Sequence, residues 1–132
     1  MKTVAGIVAG LIVWFVVATL VNLLFRVAWP GYAGVESTLN FTLAMLFARL
    51  LLGALSSLCA GFVAAWVARG KAVAARVVGG ALIVLFIPVH YGLWDKFPVW
   101  YHLLFLASLF PLTLLGARLF APGTVDRQGA TP

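Results

Sequence analysis

Two histidines and one carboxylate bracket a single turn of this chain: His90, Asp95 and His102. Imidazole and carboxylate are ligands for zinc or copper, and imidazole also changes charge near neutral pH. The spacing matches no zinc-binding signature, so the reading adopted is a polar belt beside Tyr91 and Tyr101, with no metal and no cofactor assigned. A haem held by the two imidazoles is set aside as well, because helices joined by so short a turn pack about 8–10 Å apart, too close for a porphyrin. Arg49 completes the candidate outer polar cluster. The adopted reading places it at the membrane interface with its charge in water. The alternative places it in the bilayer facing a cavity, where an Arg costs about 2.5–3.5 kcal/mol on insertion scales and binds an anionic group. Glu36 is a partner for it only if the chain between them bends.

Other chemistry is sparse. Cys59 is the single cysteine and falls in an apolar stretch, which excludes the thiol exchange of quinone-linked membrane oxidoreductases for a lone chain. The first helix has Asn22 near its end where small multidrug transporters carry a proton-coupling glutamate. No nucleophile, acid pair or cofactor motif can be assembled, so the chain is expected not to be an enzyme. Arg69, Lys71 and Arg76 form a basic cluster that suits anionic lipid headgroups, although topology alone also accounts for those charges.

The elements that must carry these residues follow from composition. Hydrophobic residues make up 64% of the 132 positions and charged residues 9%, with a mean hydropathy of +1.13. Soluble domains carry about 25% charged residues, so lipid is the solvent expected for the outer faces. Apolar runs cover Thr3 to Phe25, Leu39 to Val67, Val77 to Leu93 and Val99 to Leu119. A spanning helix needs about 20 such residues, and the third run reaches that length by starting near Ala72 and taking Arg76 into its first turns. The second run would extend about 43 Å as one helix, against a hydrocarbon core of about 30 Å. Arg49 and Arg69 can mark opposite interfaces, leaving Ser37 to Ala48 as an outer extension and Leu50 to Ala68 as the crossing.

Lys2, Arg69, Lys71, Arg76, Arg118 and Arg127 fall on one side of such a bundle, against Arg26, Arg49 and Lys96 on the other. The positive-inside rule then places both termini in the cytoplasm. Trp29, Tyr32, Tyr91, Trp94, Trp100 and Tyr101 gather at the two outer loops, as interfacial aromatics do, and Trp66 sits at the inner end of helix two. Trp14 falls mid-helix and is expected to pack against a neighbour or lipid. The first helix has a single lysine as its basic region, an apolar stretch from Thr3 to Phe25 and no small-x-small cleavage site near Asn22 or Arg26. It is therefore expected to be retained rather than removed as a signal peptide. Pro88 and Pro111 are expected to kink helices three and four as static shape.

The fold class expected is all-α: an antiparallel up-down-up-down four-helix transmembrane bundle over residues 1–121. Its helices are placed at about 3–28, 38–69, 72–93 and 98–120, and residues 122–132 read as a disordered cytoplasmic tail. Trp29 to Gly34 breaks helix one, Gly70 supplies a C-terminal cap, and Asp95 to Pro98 turns helix three into helix four. Helix-packing positions are Gly6 and Gly10 in helix one, Gly53, Ser57, Gly61 and Ala65 every fourth residue in helix two, and Gly79 and Gly80 in helix three. Such small-residue stripes let backbones approach in lipid, and they are assigned to the seam within the bundle rather than to a dimer face.

Ala60-Gly61-Phe62-Val63-Ala64-Ala65, Pro98-Val99-Trp100-Tyr101-His102, and Pro111 with Leu115-Gly116-Ala117-Arg118-Leu119 give the second half of the chain a further character. Here it resembles small uncharacterised bacterial four-helix integral membrane proteins. The resemblance implies fold and a bacterial inner-membrane location, and no activity. The expected partners are the lipid bilayer and a membrane-protein partner or a second copy, with no nucleic acid. The expected function is an accessory or structural subunit; the alternative is a small carrier or permease with an outward polar cavity around Arg49, His90 and His102.

Overall fold

A computed structural model describes residues 1–120 as helices joined by short turns: α1 (Lys2–Ala28), α2 (Tyr32–Glu36), α3 (Leu43–Val67), α4 (Ala72–Gly92) and α5 (Val99–Phe120). Among the described residues, α1, α3, α4 and α5 are long and apolar enough to cross a membrane, which makes this a small multi-pass membrane protein. The expectation for residues 122–132 lies outside the described residues.

The second long helix is shorter than its expected range of about 38–69. Residues 38–42 are not helical, and α3 begins only at Leu43. Leu39 adopts a positive φ of 59°, the Asn40 N–H donates back to the Val35 carbonyl at 3.3 Å, and Thr42 Oγ1 accepts from the Met45 N–H at 3.3 Å. A left-handed residue followed by a threonine N-cap stops a helix from running backward past residue 43. The short α2, which hydropathy did not reveal, starts after Gly31 at φ 85°, a value that favours glycine.

The α3–α4 turn is a Schellman motif displaced by one residue from its expected place. The Gly70 N–H donates to the Ala65 carbonyl at 2.8 Å and the Arg69 N–H to Trp66 at 3.2 Å. It is therefore Arg69, at φ 55°, that occupies the left-handed cap position, with Gly70 at φ 83° just beyond. α4 starts near Ala72 and includes Arg76, as its length requires. Pro88 and Pro111 lie inside α4 and α5.

α3 is the central element, packing on α1 along one side and α5 along the other, while α4 closes the bundle against α5. Small residues set the distances. A Cβ built on Gly61 would stand 1.8 Å from the Thr113 carbonyl oxygen, and one on Gly116 would stand 2.0 Å from that of Leu58. Backbone therefore touches backbone between α3 and α5, an approach that only glycine permits. Gly6 and Gly10 meet the Ala64 and Ala60 carbonyls at 2.6 and 3.0 Å in the same construction, while Gly53 receives the Phe105 ring and Gly79 the Phe110 side chain. Ser57 and Ala65 of α3 are buried as well. Gly80 departs from its expected packing role: it has open space where a side chain would be. Gly79, its neighbour, takes the interhelical contact because the next helical position is rotated about 100° away.

Candidate functional site

Polar side chains collect at the end of the bundle formed by the α1–α2, α2–α3 and α4–α5 connections. Two arrangements stand there, separated by Tyr101, whose ring centroid is 6.1 Å from His90 and whose phenol borders Arg49.

The first arrangement is a relay across α1, α2 and α3. Arg26 donates from Nε and Nη2 to the Glu36 carboxylate, at 2.8 and 2.5 Å. Asn22 Nδ2 donates to the same carboxylate at 3.4 Å, Tyr32 Oη donates to Asn22 Oδ1 at 2.8 Å, and Arg49 Nη1 donates to Tyr32 Oη at 2.9 Å. The Phe41 ring lies under the Arg49 guanidinium, 4.7 Å from Cζ to the centroid, within cation–π range. Asn22 and Arg26 are one turn apart on α1, as are Tyr32 and Glu36 on α2, so each helix presents two groups on one face. The hydrogen bonds from Arg26 hold the Glu36 carboxyl below the usual glutamate range, with Asn22 and the Arg49 charge acting in the same direction against partial burial.

Arg49 is neither fully buried nor free. It is half-buried, its Nη1 is bonded, and its Nε is shielded from solvent without a partner. Glu36 is bound to Arg26 rather than to Arg49, so the bend of the chain brings Glu36 into the network through Tyr32 and Asn22.

The second arrangement is the histidine pair. His90 Nδ1 and His102 Nδ1 lie 2.7 Å apart between α4 and α5. His102 is fully buried and His90 is 6% exposed. Trp94 stacks on His102 at 4.9 Å with 14° between the planes. At this distance one nitrogen must carry a proton and the other a lone pair. His102 Nε2 has no partner, and an unpaired buried donor is less tolerable than an unpaired acceptor. We therefore assign the proton to His102 Nδ1, donating to His90. Two zinc–nitrogen bonds at tetrahedral geometry would hold the nitrogens about 3.3 Å apart, so the spacing observed suits a shared proton. Asp95 does not join them: it is exposed in the turn, and among the described residues no three His, Cys, Asp or Glu side chains gather as a metal site.

Further along α3, at the middle of the bundle, Trp14 Nε1 donates to Ser57 Oγ at 3.0 Å, and Ser57 Oγ donates to the Gly53 carbonyl at 2.8 Å. Trp14 is 3% exposed, so it packs against a neighbouring helix and not against lipid. On the outer surface, α3 and α5 enclose an open apolar groove of about 340 Å³, lined by Phe47, Leu50, Leu51, Ala54, Leu104 and Ser108. Arg69, Lys71 and Arg76 are exposed at the opposite end. The sequence reading missed the Asn22–Tyr32–Arg49 relay, the Arg26–Glu36 pair and the Trp14–Ser57 bond; the paired one-turn spacings on either side of Pro30 were the available signal for the first two. Comparison of the chain with protein-family models, with characterised proteins and with solved structures finds no match.

Proposed function

We propose that this protein is a non-catalytic accessory or structural subunit of a bacterial inner-membrane assembly, with both termini cytoplasmic, packing against a membrane partner or a second copy. The observation that carries this reading is the α3–α5 groove. Its lining includes the small residues Ala54 and Ser108 between Phe47, Leu51 and Leu104, a relief that matches the ridge of another transmembrane helix. The Ser108 hydroxyl already donates to the Phe105 carbonyl of its own helix, so the groove offers packing and no free polar group. With Cys59 changed to Ser, cysteines introduced as Ala54→Cys and Ser108→Cys are expected to crosslink in native membranes to a partner or a second copy. A monodisperse monomer in mild detergent, with no crosslinked product from either position, would remove the reading.

A second reading, a small carrier with a polar cavity at the histidine end, is favoured by the two buried nitrogens without partners, Arg49 Nε and His102 Nε2. Such orphaned groups mark places where a water or ion belongs. Arg49→Gln is expected to abolish transport of an anionic solute on this reading, and unchanged transport by a correctly inserted variant dismisses it.

A further inference from the structure

The two ends of the bundle treat their cations differently. At the histidine end, Arg26 is paired with Glu36, Arg49 is bonded to Tyr32 and stacked on Phe41, and Lys96 adjoins Asp95 in sequence. At the other end stand Lys2, Arg69, Lys71, Arg76 and Arg118, all exposed. Among the described residues both carboxylates, Glu36 and Asp95, lie at the histidine end.

The packing brings these five cations together from every spanning helix. A Cβ on Gly6 would stand 2.9 Å from the Ala68 Cβ, which sets the start of α1 beside the end of α3. Gly61 meets Thr113, seven residues before Ala68 and Phe120 respectively, and the Phe62 and Phe120 rings meet at 5.5 Å, which sets the end of α5 within about two turns of the end of α3. Arg76 lies five residues into α4 from Lys71, about 7.5 Å along the helix, and Trp66, 61% exposed, is at a similar depth on α3. Exposed Trp at that depth marks the headgroup layer. Cations that circle a bundle within that layer, with no carboxylate among them in the described residues, meet lipid phosphates.

We propose that this end of the bundle is a docking surface for anionic phospholipid headgroups, with Arg69, Lys71 and Arg76 at its centre and Lys2 and Arg118 at its margins. The complementary charge is the phosphodiester of the leaflet in which this end sits. Each basic side chain near an anionic surface strengthens attraction by about fivefold.

The test uses the full chain in a mild neutral detergent, where no leaflet orientation enters. Phosphatidylglycerol and phosphatidylcholine of identical acyl chains are offered in equal amounts, and retained lipid is counted by native mass spectrometry. The protein is expected to retain the anionic lipid in at least about tenfold excess. Arg76→Gln is expected to lower that ratio about fivefold, Arg76→Lys to keep it, and the combined R69Q, K71Q and R76Q variant to bring it near one. Lys96→Gln, at the far end, is expected to leave it unchanged. A ratio in the triple variant unchanged from that of the native chain, a loss in Lys96→Gln matching that in Arg76→Gln, or displacement of the lipid by an equal concentration of inorganic phosphate would each overturn the proposal.

Discussion

Tyr32 is the residue on which the histidine-end relay depends, because its hydroxyl both accepts from Arg49 and donates to Asn22 and its side chain is fully buried. Tyr32→Phe keeps the ring and strands two polar groups, so a loss of about 1–3 kcal/mol in unfolding free energy is expected in detergent titrations. Trp14→Phe tests the mid-bundle bond in the same assay. It leaves Ser57 Oγ still donating to Gly53, so a loss of about 1 kcal/mol from the bond is expected, in addition to the smaller ring. The Arg26–Glu36 pair gives a pH signature. Because the folded Glu36 carboxyl titrates lower than its ordinary value of 4.5, its contribution is complete above that value and is lost as pH falls through the lowered one. The pair is largely solvated, so the change is small. Glu36→Gln is expected to flatten the stability profile below pH 4.5, and an unchanged profile would contradict the pairing. Little of this was legible beforehand. Hydropathy reports Asn22 and Arg26 as the end of a span, and only the turn at Gly31 brings Glu36 back over them.

At the level of elements, the glycines divide into those that hold helices together and those that do not. Gly61→Ala and Gly116→Ala would each force α3 and α5 apart, since their Cβ atoms would stand 1.8 and 2.0 Å from carbonyl oxygens. A loss of about 3 kcal/mol or more, or failure to assemble, is expected for either. Gly80→Ala meets nothing and is expected to be neutral or stabilising by up to about 1 kcal/mol, as the better helix former. Thermal unfolding of the three variants in one detergent checks the contrast, and equal loss at Gly80 and Gly61 would refute the packing described. The every-fourth-residue stripe of α3 was readable because small residues at that period share a face. Which of two adjacent glycines faces inward was not, because Gly79 and Gly80 are equivalent until the phase of α4 against α5 is known. The start of α3 was misplaced for a related reason: Leu39 and Phe41 extend the apolar run, and the stop comes from backbone geometry at Leu39 and the Thr42 cap.

On the scale of the whole molecule, the lengths of the apolar runs were sufficient for the four long helices, because in lipid each crossing segment must satisfy its own backbone hydrogen bonds and so must be a helix. The functional reading is less determined, since a groove such as that of Phe47, Leu51 and Leu104 arises from the relative position of two helices and leaves no sequence period of its own. The direct check of the architecture is sidedness. In a Cys59→Ser chain in sealed membrane vesicles, single cysteines replace Lys2, Ser37, Lys71 or Lys96 and are exposed to a membrane-impermeant thiol reagent. Four crossings predict that Lys2→Cys and Lys71→Cys label from one face while Ser37→Cys and Lys96→Cys label from the other. Labelling of Ser37→Cys and Lys71→Cys from the same face would contradict them.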